Sequence, residues 1–399
     1  MTATAQERLV DVEVRAAIED RVPVGAEKTF RSYDPDQVLL MAPVLRDWVP
    51  DGDLAHFVAD LVDSGALDLS AIYAAYEEER GFPPYDPRLM VKLLVYGYAN
   101  GVTSSRKLER ASYRDVAVRM LCADQAEDEE FGADRRGDEL PDELQRRESR
   151  LARIREAKQA LEAEARAAEA VRRAELEEQG KTPRNPPGGR DSFKPKPKAQ
   201  RNFTDPDSRI MKASDGAFHQ CYNGQAIVDS VAQVIVVCEL SDQAPDARLL
   251  EPALDQLDEN LQAIDARLPD DAALLGDAGY FSEHNIAITA EHGLDPHIAT
   301  GRFKHSEPPA PAPRGPIPKN ATSKQLMARK LKKKAGAAAY ARRKTIVEPV
   351  FGQMTTVQDA RQLRLRGKPA ARAQWRFQCA IHNLLKLHRN GGLALIPTG

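Results

Sequence analysis

The sequence predicts an α/β protein that begins with an all-α N-terminal domain and carries a long helical insert. Three observations predict this class. Apolar residues recur at helical spacing from about Asp36 to Asp124, and a run rich in Ala, Glu, Arg and Leu fills residues 126–179. Between residues 218 and 300, short apolar runs alternate with helical stretches, which is typical of α/β domains.

The N-terminal region divides into a loose arm and a helical domain. Residues 1–30 show no hydrophobic period. Asp86 and Pro87 are a good N-cap and first residue for the helical run RLMVKLLVYGYANG, and Gly101 lies at its end. A second, basic helix starts near Ser104. This pattern fits a helix-turn-helix, and it fits a plain helical bundle with a basic rim equally well.

The insert at 126–179 is predicted to be one long helix, because its residues are strong helix formers. Lys158 and Arg172 interrupt its seven-residue hydrophobic steps, so a hairpin packed on another helix fits better than a coiled-coil dimer. The residues that follow, 181–205, are rich in Pro and Lys and are predicted to form a linker.

The mixed region begins with a predicted β-hairpin. Two apolar runs, Gln220–Val228 and Gln233–Leu240, flank a turn at Asp229-Ser230. The elements expected after it are a helix at about Ala247–Ala266, a short buried strand ending at Asp277, a helix closed by Gly293, a strand in LDPHIAT, a proline-rich loop at 301–322, a basic cluster at 323–339 and an amphipathic helix at Ala371–His388.

Charge is distributed very unevenly along the chain. The net charge is −3, yet the stretch from Arg302 to Arg389 has 21 lysines and arginines against three acids, a net of +18. The rest of the chain therefore sums to −21. Such a stretch is typical of a surface that binds a polyanion, most simply nucleic acid, and a solvated basic face is the simpler alternative.

Missing motifs disfavour several function classes. The sequence has no P-loop, no H-E-x-x-H and no G-x-S-x-G, which argues against an ATPase, a zinc protease and a serine hydrolase. Its four cysteines include no C-x-x-C pair, and so few cysteines fit a reducing compartment. No run of about 18 apolar residues and no signal peptide is present, so we expect a cytoplasmic protein without a membrane partner.

Two acids stand at positions that suggest a role in metal binding or catalysis. Asp277 ends a buried strand and precedes small residues, which leaves room for a hard cation, although it also fits as the cap of a helix starting near Ser282. Glu348 is one of the three acids in the basic stretch, where a carboxylate amid phosphate-binding cations fits metal-dependent phosphoryl transfer. An ion pair with Arg343 or Lys344 is the alternative for Glu348.

The motifs LLGDAGYFSEHNI, YNGQAIVD and YARRKTIVEPVFGQM closely resemble DDE transposases of bacterial insertion sequences. The stretch YDPRLMVKLLVYGYANGVTSSRKLER and the insert containing FGADRRGDELP resemble the same proteins, so the resemblance covers about Tyr33 to His388. It implies a flexible arm at 1–30, an InsH-type helical N-terminal domain at 31–125, a charged helical insert at 126–180, a linker at 181–205 and a ribonuclease H-like DDE catalytic domain at 206–390.

The resemblance also implies roles for individual residues. The family's second catalytic acid falls on Asp277 and its catalytic glutamate on Glu348, and these two would bind Mg²⁺ or Mn²⁺. Tyr340 and Arg343 stand where the family has a tyrosine and an arginine that handle phosphate and the strand end, while Thr355 takes the place of a usual lysine. The residues expected to bind DNA are Tyr340, Arg343, Lys332, Lys333 and Lys334.

The chain departs from the family at the first catalytic acid, which lies in a D-G-T-like motif between the helical domain and the insert. Here the helical domain runs directly into the insert after Gln125, and no D-G-T occurs anywhere. The resemblance then implies an in-frame deletion of several dozen residues, together with the first strand of the catalytic sheet. Asp215 and Asp229 are the nearest spare acids, and Asp229 fits better as a turn residue.

Two functions fit these features. The first is a transposase that binds the terminal inverted repeats of its element as double-stranded DNA and cuts and joins strands with Mg²⁺ or Mn²⁺. The second is a catalytically inactive remnant that only binds DNA. In both cases we expect association with the bacterial nucleoid, and a homodimer on DNA is left open. In a family-like fold, the carboxylates of Asp277 and Glu348 should lie about 4–8 Å apart around shared cations.

Overall fold

The computed structural model describes residues 44–75, 85–123, 147–178, 180–183, 195, 199–212, 216–301, 315–318 and 320–392. The chain divides into two compact units, Met1–Val44 and Leu45–Gly399, and the fold that follows is that of the second unit. The predicted arm at 1–30 lies outside the described residues, and so does most of the proline-rich loop.

The N-terminal region is helical, as predicted. Its helices are α1 Leu45–Trp48, α2 Leu54–Asp63, α3 Ser70–Ala74, α4 Pro87–Ala99, α5 Ser105–Arg114 and α6 Val116–Leu121. Asp86 caps α4 by accepting the backbone N–H of Arg88 at 2.8 Å, and Pro87 is the first helical residue. The N-cap and the first helical residue predicted from the sequence are therefore confirmed.

Helices α4 and α5 meet in a tight turn that depends on glycine. A Cβ on Gly97 would lie 2.9 Å from the backbone carbonyl oxygen of Val102 and 2.4 Å from Cδ2 of Leu108, so glycine favours the close approach of α5 to α4. Gly101 has a left-handed φ of +73°, and a Cβ there would stand 2.5 Å from the carbonyl oxygen of Val357. The two helices thus have the short glycine-containing connection that the sequence predicted.

The insert contains one long helix, α7 Arg147–Glu178. Glu164 on this helix accepts hydrogen bonds from Arg201 at 2.5 Å and Arg209 at 3.1 Å, so the end of the predicted linker and the residues after it lie against the helix. The first part of the predicted insert, residues 126–146, lies outside the described part of the chain, so the choice between a hairpin and a coiled-coil dimer stays open. The FGADRRGDELP motif lies outside the described part as well.

The described strands form three separate two-stranded sheets. They are antiparallel β1 Arg209–Lys212 with β2 Phe218–Cys221, antiparallel β3 Asn223–Val228 with β4 Ile235–Ser241, and parallel β5 Ala273–Gly276 with β6 Asp295–Ile298. The predicted hairpin is β3–β4. The carboxylate of Asp229 holds its turn by accepting the N–H groups of Val231 at 2.9 Å and Ala232 at 2.6 Å.

One expectation about the sheet needs correction. The alternation of strands and helices between 218 and 300 suggested one mixed sheet, but no hydrogen-bonded ladder between described strands joins β4 to β5. The hairpin and the parallel pair are instead linked through helices that pack on both. The β1–β2 pair was not predicted, because its strands have only four residues each and carry no apolar run.

Helices follow and enclose these strands. They are α8 Leu250–Ala263, α9 Glu283–Glu291, α10 Ser323–Lys332, α11 Lys334–Thr356 and α12 Lys368–Arg389, with short 3-10 turns at Asp246–Arg248 and Ala278–Tyr280. Helix α8 begins later than predicted, because the first of these turns takes up the residues around Ala247. No helix in the described part of the chain is both long enough and apolar enough to cross a bilayer.

The two faces of the β3–β4 hairpin are buried in different cores. Val237 packs with residues of α8, α9 and β6, whereas Leu240 packs with Val350 of α11 and Trp375 of α12. A third core joins α2, α4 and α6, and it includes Ile381 and Leu385 from the end of α12. Helix α12 therefore contributes to the N-terminal core and to the hairpin core at once.

The Leu385→Ala variant should lower the free energy of unfolding by about 2–5 kcal/mol, because it removes a side chain buried where α12 enters the N-terminal core. Leu365→Ala removes the same atoms from a side chain that is 49% exposed, and it should cost less than about 0.5 kcal/mol. Chemical denaturation followed by circular dichroism measures both. Equal losses in the two variants would contradict the shared core.

Candidate active site

Asp277 directly follows strand β5 and is exposed. One carboxylate oxygen, Oδ1, accepts the backbone N–H of Gly279 at 2.8 Å and so caps the 3-10 turn Ala278–Tyr280. The alternative role as cap of the next helix is wrong, because Ser282 caps α9 with its own hydroxyl. Asp277 therefore presents its carboxylate to solvent at the end of a parallel strand.

Glu348 lies on α11, which packs against β5 and β6. Its side chain is exposed. The residues two positions before and after it, Ile346 and Val350, are buried on the opposite side of the helix. Among the described residues Glu348 forms no ion pair with Arg343 or Lys344, the alternative considered for it. Its approach to Asp277 stays a prediction.

Tyr340 and Arg343 lie one turn apart on α11 and contact each other. The guanidinium carbon of Arg343 is 5.8 Å from the centre of the Tyr340 ring. Burial raises the pKa of Tyr340, Arg343 opposes this, and the negative charge of Asp277 raises it further. The phenol is thus within electrostatic reach of Asp277. The Nε of Arg343 is buried and has no hydrogen-bond partner among the described residues.

A further acid, Asp246, lies beside Asp277. Its Oδ1 accepts hydrogen bonds from Asn223 Nδ2 at 2.7 Å and from Gln225 Nε2 at 3.2 Å. Its Oδ2 would lie 2.6 Å from a Cβ on Gly279, the residue whose N–H binds Asp277. Sequence reasoning missed Asp246, although an acid shortly after a strand and before a helix was a signal that could have found it.

Neither Asp229 nor Asp215, the two spare acids named from the sequence, is placed beside Asp277 by the described structure. Asp229 accepts two backbone N–H groups in the hairpin turn and serves as a turn residue. Asp215 lies outside the described residues. The described part of the chain contains no group of three or more His, Cys, Asp or Glu side chains placed to hold a metal ion.

The lysine cluster lies at the corner between α10 and α11. Lys333 is extended, with φ −70° and ψ 150°, and it separates the two helices. A Cβ on Gly336 would lie 2.1 Å from the carbonyl oxygen of Lys330, so glycine is required for this sharp corner. Lys333 and Lys334 are exposed and Lys332 is half-buried. None of these three lysines forms an ion pair with a described acid.

Part of the basic charge is neutralised inside the fold. The internal ion pairs are Lys330 with Asp295, Arg364 with Asp359 at 2.9 Å, Lys368 with Asp242 at 2.6 Å, and Arg372 and Arg376 with Glu239 at 2.6 and 2.8 Å. The excess of positive charge therefore lies on the cations that form no such ion pair, which include the lysines at the α10–α11 corner.

A second basic surface lies on α5. Leu108 and Ser112 face the core, and the exposed side chains are dominated by cations, namely Arg106, Lys107, Arg110 and Arg114. These four cations form no ion pairs with described acids. One side of the helix packs on the core, and the other side is exposed and basic, as in helices that bind a polyanion.

Two family models match the chain. A transposase domain (DUF772) matches residues 43–131, and a transposase DDE domain matches residues 317–388. No curated protein and no solved structure was found to match. The first match includes the α4–α5 pair and the second includes Tyr340, Arg343 and Glu348, while Asp277 lies between the two matches. Both matches confirm the resemblance seen in the motifs and support the identification of a DDE transposase of an insertion sequence.

Proposed function

We propose that this chain binds double-stranded DNA at the terminal inverted repeats of its element and that it takes part in DNA transposition. The observation that carries the proposal is the unpaired lysine corner between α10 and α11, inside the region that matches the DDE domain. Lysines on a rigid corner bind phosphates, and the release of condensed counterions favours this binding at low salt. Association with the nucleoid and a homodimer on DNA belong to the same proposal.

The α4–α5 pair supports a second contact with DNA. Its tight glycine turn and the cationic face of α5 fit a helix-turn-helix whose second helix enters the major groove. Arginine side chains on such a helix can donate two hydrogen bonds to guanine. In this arrangement α5 reads the sequence of the repeat, while the lysine corner holds the DNA backbone.

The proposed chemistry is metal-dependent strand cleavage and transfer with Asp277 and Glu348. Carboxylate oxygens are the ligands that Mg²⁺ prefers, and Asp277 is exposed at a strand end where such an ion fits. When bound, Mg²⁺ or Mn²⁺ would neutralise charge on the phosphoryl oxygens and activate the attacking hydroxyl. Arg343 lies beside Tyr340, whose phenol is influenced by the charge of Asp277, and this placement supports a role for the pair in holding the phosphate near Asp277.

A second candidate function is that of an inactive remnant that still binds DNA. It is favoured by the absence of any D-G-T motif and by the lack of a ladder between the hairpin and the parallel pair. Loss of one strand from a continuous ribonuclease H-like sheet would leave such a gap. Since the first acid would be lost with that strand, DNA binding and cleavage can be separated in this chain.

Replacing Lys332, Lys333 and Lys334 with Ala should weaken binding to all duplexes alike and flatten the dependence of log K on log[salt] by up to about 3 units, because each lysine releases about one counterion. The matched control replaces three exposed cations of α7, Arg155, Lys158 and Arg166, and should leave both quantities unchanged. Fluorescence anisotropy at several salt concentrations measures the slopes. A triple lysine variant with the wild-type slope would contradict the assignment.

Replacing Arg106 and Arg110 with Ala should lower the preference for the inverted repeat over random duplex by about tenfold or more, because base contacts are lost. Binding to random duplex should fall much less. The control removes Arg155 and Arg166 of α7, with the same change in charge. If both affinities fell in proportion, α5 would be a backbone contact and the helix-turn-helix assignment would be wrong.

The present chain should show little or no cleavage of DNA that carries the repeats flanking the gene, with either Mg²⁺ or Mn²⁺, because the first acid is absent. Insertion of a D-G-T segment from an intact relative should restore cleavage, and Asp277→Asn or Glu348→Gln in the repaired chain should abolish it. Gel analysis of end-labelled DNA measures this. Strong cleavage by the unrepaired chain would exclude the remnant.

A further inference from the structure

Helix α12 lies antiparallel along strand β4. Polar contacts join the two elements at three levels, namely Asn383 with Ile235, Arg376 with Glu239, and Lys368 with Asp242 just after the strand. The stretch from Lys368 to Asn383 rises about 22 Å in a helix, and the stretch from Ile235 to Asp242 spans about 23 Å in a strand. The helix and the strand therefore run side by side over the whole length of these contacts.

Two cysteines lie within this set of contacts, Cys238 on β4 and Cys379 on α12. Both pack in the hairpin core, where Cys379 is 1% exposed and Cys238 is half-buried. Their side chains are hydrogen-bonded to each other, and both cysteines are free thiols in this structure. The packing of α12 on β4 thus brings together two sulfur atoms that are 141 positions apart in sequence.

The two thiols differ in acidity. The hydrogen bond from Cys379 lowers the pKa of Cys238, burial opposes this, Arg376 lowers the pKa further and Glu239 raises it. The hydrogen bond with Cys238 and burial both raise the pKa of Cys379. The thiolate is the reactive form of cysteine, so Cys238, which is also the more exposed of the two, is suited to attack an oxidant.

We propose that Cys238 and Cys379 form a modification site, at which a hydroperoxide such as hydrogen peroxide converts the two thiols into a reversible disulfide. The Cys238 thiolate attacks one peroxide oxygen, the O–O bond breaks, and the products are a sulfenic acid on Cys238 and hydroxide. The sulfur of Cys379 then attacks the Cys238 sulfur. The S–O bond breaks, and the leaving hydroxide takes up the Cys379 proton. In total the sulfurs lose two electrons, and the peroxide is reduced to two waters.

The disulfide would lock α12 onto the hairpin. Because the second half of α12 lies in the N-terminal core, the cross-link would also strengthen the connection between that core and β4. A disulfide restricts the unfolded chain, so the oxidised protein should unfold at a higher denaturant concentration, and dithiothreitol should reverse the shift. Disulfides of reducing compartments are usually transient, as expected for a site that responds to an oxidant.

The test treats the full chain with hydrogen peroxide, blocks the remaining thiols with N-ethylmaleimide in denaturant, and analyses tryptic peptides by mass spectrometry. We expect a dithiothreitol-sensitive species that joins residues 213–248 to residues 377–386. Cys238→Ser and Cys379→Ser should each abolish it. Cys221→Ser is the matched control, because Cys221 is half-buried and lies in the same peptide as Cys238, and this variant should keep the species.

Arg376→Gln tests the reactivity of Cys238 without a change in the buried core, since Arg376 is exposed. Loss of its charge should slow the reaction with peroxide by about twofold or more, because a smaller fraction of Cys238 is thiolate. Arg372→Gln removes the same charge from the other arginine that pairs with Glu239, and it should leave the rate unchanged. Equal rates in the two variants would overturn the assignment of Cys238 as the attacking thiol.

Several results of the peroxide treatment would overturn the proposal. They are a disulfide between two copies of the chain, a link through Cys221, a sulfinic acid on Cys238 without any disulfide, and full recovery of all four thiols. A disulfide that forms as expected but leaves the unfolding midpoint unchanged would overturn the proposed locking of α12. The DNA binding proposed above is tested separately, since neither step of the oxidation involves DNA.

Discussion

Helix α12 is the element on which the rest of the structure depends. Its first half buries Trp375 and Cys379 against the β3–β4 hairpin, and its second half buries Ile381 and Leu385 in the N-terminal helical core. The two regions that match different transposase domains therefore share one helix. Asn383 on this helix also bonds the backbone N–H and carbonyl of Ile235, each at 2.8 Å, which fixes the hairpin in place.

The position of the candidate site follows from this packing. A Cβ on Gly224 would lie 3.1 Å from the Trp375 ring, so α12 presses directly on strand β3. The neighbours of Gly224 on the same strand, Asn223 and Gln225, are the residues that hold Asp246. Strand β3 thus connects the packing of α12 to the orientation of an acid beside Asp277.

The sequence predicts features that arise from local patterns and misses those that arise from close packing. The hairpin, the strand before Asp277 and the terminal helix follow from periodicity and turn residues. The position of Asp246 between a strand and a helix marks it as a candidate, but its proximity to Asp277 does not follow from that pattern, because it depends on Gly279 and on the packing of two turns distant in sequence. Likewise, the net charge of the C-terminal stretch could not show that Arg372 and Arg376 are paired with Glu239.

DNA binding and cleavage respond differently to the loss of a segment. Phosphate contacts add up over many separate cations, so a basic surface of the kind proposed for α10, α11 and α5 can lose a neighbouring segment and still bind. A metal-dependent site needs all its acids within a few ångströms, and one missing carboxylate removes most of its activity. The described residues keep the unpaired lysine corner, whereas they include no group of three or more His, Cys, Asp or Glu side chains placed to hold a metal ion. The proposed DNA binding and the proposed cleavage therefore depend on different parts of the fold, and each needs its own experiment.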